Sequence, residues 1–304
     1  MSLAPIVVFA YNRPDHLRRT LEALAKNELA KDSVLYIYCD GAKDDATEEQ
    51  RRLVEQNREV ARATIGFKGL YVVERERNVG LKDNIVSAVT EIVNKYGRII
   101  TLEDDVITSV GYLRFMNEAL ELYKNEERVM HVSGYMWPHR WPLPKTFFYE
   151  LPYPGGGWAT WERAWRYYDD DATKLYFYWK DQWDKFNKLG ADYLQKQLVA
   201  NHEGRLNTWF IKWHAILLQQ NGLTLYPGKS LTNNIGFDES ATNCYKTSKF
   251  DVKIIRQVKV RRIPIQENWF AAHEIFAFYQ GRWYNRRRRN AFFSKILKCL
   301  TICK

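Results

Sequence analysis

Cysteine is scarce in this chain. The four present, Cys39, Cys244, Cys299 and Cys303, form no Cys-x-x-Cys pair and no spacing that suggests a disulfide framework, so a reducing, cytoplasmic setting is expected. No stretch approaches the ~18 consecutive apolar residues of a membrane span. No signal peptide is recognisable, because Met1 leads directly into the first apolar run. No Gly-x-Gly-x-x-Gly follows that run and no Walker A sequence occurs, which removes the dinucleotide fingerprint and the P-loop. Zinc-finger, RNA-recognition and helix-turn-helix signatures are missing too. The net charge of +10 therefore points to phosphorylated substrates or anionic lipid, and nucleic acid is not an expected partner.

What is present is an ordinary globular composition, 46% hydrophobic over 304 residues, enough for one large or two smaller domains. Aromatics are plentiful, with 11 Trp and 19 Tyr. Their flat apolar faces and polar edges suit sugar binding, and they serve equally as core, which is the expectation for most of them.

Strand and helix alternate over roughly the first 105 residues. Pro5 to Ala10 reads as a buried strand, and Asp15 is placed to cap the helix that carries Leu17, Leu21 and Leu24. Val34 to Cys39 is a second strand ending at Asp40-Gly41, followed by a charged helix within Asp44 to Arg62. Leu70 to Val73 is a third strand. Asn78-Val79-Gly80 then leads into a helix over Lys82 to Tyr96, and Arg98 to Leu102 is a fourth strand. A further helix carries Phe115, Leu120 and Leu122, and a further strand covers Val129 to Gly134. Such alternation implies parallel strands joined by right-handed crossovers, with ligands beyond the carboxyl ends of the strands. Arg13, Asp40, Asn78 and the acids after the fourth strand all fall at those ends. Beyond residue 135, prolines and the Gly155-Gly156-Gly157 run break the pattern.

The acids are the sharpest feature. Ile99 to Val106 reads Ile-Ile-Thr-Leu-Glu-Asp-Asp-Val, so an apolar run stops abruptly at Glu103, Asp104 and Asp105. Three adjacent carboxylates repel one another unless a positive group sits among them. A divalent cation holding a diphosphate is the candidate, and hard oxygen donors favour Mg2+ or Mn2+ over zinc. The alternative is an acidic turn facing water.

These segments together resemble a GT-A glycosyltransferase of the glycosyltransferase 2-like group, near the N-acetylglucosaminyltransferase I family and bacterial polysaccharide and lipopolysaccharide sugar transferases. Phe9-Ala10-Tyr11-Asn12-Arg13-Pro14 resembles the opening strand and nucleotide-binding turn. Tyr38-Cys39-Asp40-Gly41 resembles the second strand, whose Asp contacts uracil in relatives, and Asn78-Val79-Gly80-Leu81-Lys82 the Asn-x-Gly element. Glu103-Asp104-Asp105 is similar to the family's Glu-Asp-Asp, and Pro154 to Trp158 to its Pro-Gly-x-Gly-Trp acceptor loop. The likeness runs from about Ile6 to Cys244.

The resemblance implies an α/β GT-A fold, a Rossmann-like mixed sheet flanked by helices, over residues 4–281, with the donor half at about 4–135 and the acceptor half at about 136–281. The first half would build the sheet and donor site. It implies a metal-dependent, inverting hexosyl- or N-acetylhexosaminyltransferase using a nucleotide-diphosphate sugar, UDP-linked, and a glycan or lipid-linked acceptor. Asp105 would ligate the metal, Asp104 would contact ribose or sugar, and Glu103 would support the sugar. Tyr11, Asn12, Arg13, Asp40, Asn78, Gly80 and Lys82 would bind the nucleotide end, and Gly157 and Trp158 would line the acceptor loop.

The catalytic base departs from the family pattern. Relatives place an Asp just before a Trp, and here Arg205-Leu206-Asn207-Thr208-Trp209 puts an amide there. Glu203 is the substitute, with Asp238 and Glu239 as others. His273, a residue that some relatives recruit to metal, is expected to be a packed helix histidine, and His202 and His214 to be structural. Trp158 and Trp161 serve either sugar stacking or core. Two rival functions follow: a sugar nucleotidyltransferase, which would want a glycine-rich phosphate loop after the first strand, and a non-enzymatic glycan- or nucleotide-binding protein without a base. The tail, 282–304, carries Arg286 to Arg289 and an apolar helical face of Phe292, Phe293, Ile296, Leu297 and Leu300. It reads either as an interfacial helix on the inner, anionic face of the plasma membrane or as a helix packed on the domain.

Overall fold

A computed structural model describes residues 2–188, 192–238 and 247–281. Glu239, Cys244, Cys299, Cys303 and the whole basic tail with its membrane expectation lie outside the described residues.

The first run forms strand β1 (Ile6–Ala10), and the chain then alternates. It passes through helix α1 (Pro14–Ala25), β2 (Val34–Cys39), α2 (Glu48–Arg62), β3 (Gly69–Glu74), α3 (Leu81–Tyr96) and β4 (Arg98–Glu103). Strands β3, β2, β1 and β4 lie side by side in that order, all parallel. Along β1, Ile6, Val8 and Ala10 pack with Leu17, Leu21 and Leu24 of α1, while Val7 and Phe9 pack with Ile85, Val89 and Ile92 of α3. Helices cover both faces, so the strand needs apolar residues on both, which is why it reads as an unbroken run.

Helix starts follow local chemistry. Asp15 does not cap α1 as expected. Pro14 takes the first helical position, and Asp15 lies in the first turn, 2.6 Å from Arg18. Thr47 and Gln50 form a reciprocal capping box on α2.

After β4 come β5 (Val106–Thr108), α4 (Tyr112–Leu122), β6 (Val129–Ser133), β7 (Thr146–Tyr149) and β8 (Trp158–Trp161). Five helices follow, α5 (Glu162–Trp165), α6 (Ala172–Trp179), α7 (Trp183–Phe186), α8 (Tyr193–His202) and α9 (Trp209–Gln219), then β9 (Leu223–Pro227) and β10 (Thr232–Asn234), and finally α10 (Trp269–Tyr279). The main sheet has eight strands in the order β3-β2-β1-β4-β8-β6-β9-β7. The sheet is thus not confined to the expected donor half at about 4–135: β7, β8 and β9 lie beyond it. Strand β8 runs antiparallel between β4 and β6. All its residues are buried, Trp158 toward one core and Ala159 and Trp161 toward the other, so the aromatic segment after the glycines is a central strand. This is the Rossmann-like mixed sheet flanked by helices expected of a GT-A architecture. A separate pair, β5 with β10, sits just past the acids. Among the described residues no helix is long and apolar enough to cross a membrane.

Candidate active site

Topology brings the polar turns together. Because β1 is bonded to β2 on one side and β4 on the other, the turns after all three strands share one edge. Phe9 pairs with Glu103, so Arg13 and the acids leave the sheet at the same level.

Glu103 ends β4, and Asp104-Asp105 form the turn before β5. The turn is fixed through its backbone. Thr20 Oγ1 donates to the Asp104 carbonyl at 2.7 Å, and the Ile235 amide donates to the Asp105 carbonyl at 2.8 Å. The side chains meet one guanidinium. Arg13 Nη2 lies 2.9 Å from Asp104 Oδ1 and 2.5 Å from Asp105 Oδ2, and all three side chains are largely shielded from solvent. The positive group that the sequence demanded is, in this structure, Arg13. Burial works against its charge, but the two carboxylates outweigh that and raise its pKa.

The acids remain in excess. Glu103 has no hydrogen-bond or ion-pair partner among the described residues. Burial, with Asp105 and then Asp104 nearby, pushes its carboxyl up to about 8. Asp104 is raised to about 6, again mainly by burial, with Arg13 pulling the other way. Oxygen donors with unbalanced negative charge fit a hard divalent cation. Among the described residues no group of three or more His, Cys, Asp or Glu could hold a metal alone. Magnesium-type sites on nucleotides commonly draw one or two protein carboxylates and take the rest from phosphate and water.

Two residues that sequence reading passed over complete the turn. Asn234 Nδ2 donates to Asp105 Oδ1 and to the Gly155 carbonyl, both at 3.0 Å, and its Oδ1 accepts from the Gly236 amide at 2.7 Å. A Cβ on Gly236 would collide with the Asp105 carboxylate and reach within 2.9 Å of Arg13 Nη1. Neither residue belongs to a local motif. Both are brought in by the pairing of β10 with β5, in which Asn234 faces Val106. Close by, His16 Nε2 lies 2.9 Å from Asp238 Oδ2, so Asp238 is engaged there.

Asp40 has a different task from a free base-reading carboxylate. Its Oδ1 accepts from the amides of Gly41 and Val79, both at 2.9 Å. Its Oδ2 accepts from the Gly80 amide at 2.9 Å and from Asn78 Nδ2 at 3.1 Å. Asn78 Nδ2 also reaches the Gly41 carbonyl at 2.8 Å. Gly80 precedes α3 with φ +80°, a conformation that glycine adopts without Cβ strain. Asp40 thus builds the turn beside the acids. Tyr11 and Asn12 stand half-buried at the same edge, and burial, opposed by a bond from the Lys43 backbone, raises the Tyr11 phenol.

The acceptor side gives mixed results. Gly157 has φ +69°, and its carbonyl accepts from the Gly134 amide at 2.9 Å. Trp158 is buried with both ring faces taken, stacked on His131 at 5.1 Å and on Trp209 at 5.1 Å. No face is left for a sugar, so its expected binding role becomes a core role. Trp161 is also core, with Nε1 donating to the Leu120 carbonyl at 2.9 Å.

Glu203 follows the end of α8 and is exposed, paired with Arg205. No ion pair or hydrogen bond joins it to the acid turn among the described residues. A different carboxylate stands beside Asn207. Lys212 Nζ, almost fully buried, lies 3.3 Å from Asn207 Oδ1 and 2.8 Å from Asp170 Oδ1. Lys82 Nζ lies 2.6 Å from Asp170 Oδ2, and Tyr168 donates to Asp170 Oδ1 at 3.1 Å. Burial would raise the Asp170 pKa, but Lys212 and Lys82 overcome it and hold it below the usual carboxylate range. Lys82 is therefore tied to the network around Asp170 and Lys212. The remaining histidines are set in packing. His202 stacks on Tyr176 at 4.2 Å, and His214 is buried with Nε2 3.1 Å from the Phe186 carbonyl. His273 is on α10 with its side chain 59% exposed, so it is not packed as expected, and its contact is Glu274.

No protein-family profile matches the chain, and no curated protein matches it. Among solved structures it is similar to S. aureus TarS, at 15% identity and a TM-score of 0.30. That alignment covers 47% of this chain and 23% of TarS, so the chain spans less than a quarter of that protein's length.

Proposed function

We propose that this chain is a glycosyltransferase that moves a sugar from a nucleotide-diphosphate donor, UDP-linked, to a glycan or lipid-linked saccharide. One observation carries the reading. A guanidinium, two carboxylates bound to it and a third, unpaired carboxylate converge at the carboxyl edge of a parallel sheet, next to the turn that Asp40 organises. Ligands bind at that edge in open α/β sheets.

In the reaction an acceptor hydroxyl attacks the anomeric carbon, the bond to the diphosphate breaks, and the hydroxyl proton passes to a base. A bound Mg2+ or Mn2+ would offset the charge that develops on the diphosphate. Asp105 would hold that ion, with Asp104 beside it. Asn234 would orient Asp105, and Glu103 would face the donor sugar. Asp40, Asn78 and Gly80 would shape the nucleotide's turn, with Tyr11 and Asn12 alongside. Gly157 would shape the acceptor loop. Two carboxylates compete for the role of base: Glu203, and Asp170, which contacts the ammonium that touches Asn207. The tail's arginines and apolar residues would supply peripheral contact with anionic lipid. Bacterial surface-polysaccharide or lipopolysaccharide synthesis is the setting that the resemblance to bacterial sugar transferases suggests.

A thermal-shift series tests the reading, since a ligand that binds only the folded state raises Tm. UDP with Mn2+ should raise Tm, and the shift should vanish in Asp105→Ala. No shift with any nucleoside diphosphate would overturn it. Release of pyrophosphate from a sugar phosphate and a nucleoside triphosphate would point instead to a nucleotidyltransferase.

A further inference from the structure

We propose that Arg13 is a displaceable counter-cation that makes metal binding and nucleotide-diphosphate binding depend on each other. This rests on the nucleotide-sugar reading above and adds an order of events to it.

Both oxygens of the Asp105 carboxylate are engaged in this structure. Asn234 holds Oδ1 at 3.0 Å, and Arg13 holds Oδ2 at 2.5 Å while also binding Asp104 Oδ1 at 2.9 Å. A divalent cation approaching Asp105 meets a guanidinium already bound there. It must break those contacts and overcome the repulsion between two cations. Arg13 cannot simply move aside. Its side chain is only 16% exposed, and its ion pairs among the described residues are those two aspartates. Withdrawn from them, it would be a shielded charge without a partner, which is strongly unfavourable.

A diphosphate removes that cost. The planar guanidinium fork matches phosphate oxygens with paired hydrogen bonds, so Arg13 can exchange carboxylate for phosphate. The aspartates are then open to the metal, and the metal in turn is completed by phosphate oxygens. Each ligand thereby lowers the barrier to the other. Linkage requires the coupling to be reciprocal: the factor by which UDP tightens metal binding equals the factor by which metal tightens UDP binding. Gly236 packs against both Asp105 and Arg13 and adds no side chain of its own between them.

The test is Mn2+ binding to the full chain, read from the electron paramagnetic resonance signal of free aqueous Mn2+. Wild type should bind Mn2+ weakly alone and at least about tenfold more tightly with UDP, with the same factor for UDP measured with and without Mn2+. Arg13→Gln should bind Mn2+ alone at least about tenfold more tightly than wild type and lose most of the coupling. A merely structural arginine would not give a gain in metal affinity on removal. If Arg13→Gln fails to fold, Arg13→Lys serves, because the shorter side chain does not carry its nitrogen to the place where Nη2 sits between the two aspartates and should give an intermediate gain. If wild type couples UDP to Mn2+ but neither variant gains affinity for Mn2+ alone, the exchange is wrong and the donor-site reading stands. If no form binds Mn2+ or UDP, both fall.

Discussion

Asn234, on β10, and Asp105, in the turn before β5, are joined by a hydrogen bond of 3.0 Å although they lie far apart in the chain. The same amide nitrogen reaches Gly155, and the same amide oxygen holds Gly236, so one side chain ties the acid turn to two loops. Replacing it by Ala removes one orienting bond from Asp105 and leaves the Gly236 amide and the Gly155 carbonyl short of partners. Asn234→Ala should lower kcat of sugar transfer by about 10–100-fold, the usual scale for groups that orient a metal ligand. Asn234→Asp should be worse, because it sets a fourth carboxylate against Asp105. Steady-state kinetics over a Mn2+ series checks this: the Asp variant should need more Mn2+ for half-maximal rate. Equal rates in wild type and both variants would remove Asn234 from the site.

The base is decided by a pair of substitutions. Asp170 touches Lys82, Lys212 and Tyr168, and through Lys212 it neighbours Asn207; Glu203 is exposed and paired with Arg205. If Asp170 takes the acceptor proton, Asp170→Asn should cut kcat by roughly 100-fold or more with UDP binding unchanged, as expected for loss of a general base. Glu203→Gln should then stay within about threefold of wild type, the scale of ordinary surface changes. The reverse pattern would make Glu203 the base.

Asp40 should reveal itself as the builder of a turn. Asp40→Asn keeps one acceptor oxygen but turns an NH2 toward donors, which include the Gly80 amide and Asn78 Nδ2. A misdirected buried donor costs about 1–3 kcal/mol, or roughly 2–10 °C in Tm for a domain of this size. The UDP-dependent shift should shrink as well, because the turn beside the nucleotide loosens. Calorimetry of the unliganded protein measures the first effect. An unchanged Tm would mean that Asp40 is not holding the turn.

The first half of the fold was legible because its strands need apolar residues on both faces and its helices need them on one. Val34–Cys39 is the second strand in both readings, and the Leu81–Tyr96 helix differs by one residue from the expected start. Local pattern also found Glu103, Asp104, Asp105 and Arg13. It did not say that Arg13 would bridge the aspartates, since that depends on β1 lying next to β4. Strand β8 was missed because four residues between a glycine run and a helix carry too little periodicity. Trp158 looked available to sugar only because the rings that cover it, His131 and Trp209, are remote in sequence. Asn234, Gly236 and Asp170 were invisible for the same reason: nothing within a few residues marks them.

The unpaired Glu103 gives the protein a stability profile that can be read without any ligand. Its carboxyl is raised to about 8, whereas an unfolded Glu titrates near 4.3. Between those values the folded state keeps a proton that the unfolded state releases, so stability falls as pH rises. Other groups complicate the acid side. His131 and His214 are lowered by burial to about 3 and about 4, so they make the fold less stable as pH drops below about 6.5. Asp104, raised to about 6, acts in the same direction as Glu103 but finishes earlier. At pH 6.5 the unfolded histidines are still about half protonated, so up to about pH 7.5 their loss of protons offsets part of the Glu103 slope, while Asp104 is mostly ionised and Glu103 remains the largest titrating group of this set. With a chelator present, wild type should lose about 1 kcal/mol between roughly pH 6.5 and 8, or roughly 2–4 °C in Tm. Glu103→Gln has no proton to give up, so its Tm should rise slightly across that window as the unfolded histidines lose their protons, and exceed that of wild type at the upper end. Adding Mn2+ and UDP to wild type should flatten the slope too, because a cation beside the carboxylates removes the penalty for ionising them. A wild-type Tm that rises over this window would show that Glu103 is already ionised and that the acid turn is balanced by Arg13 alone.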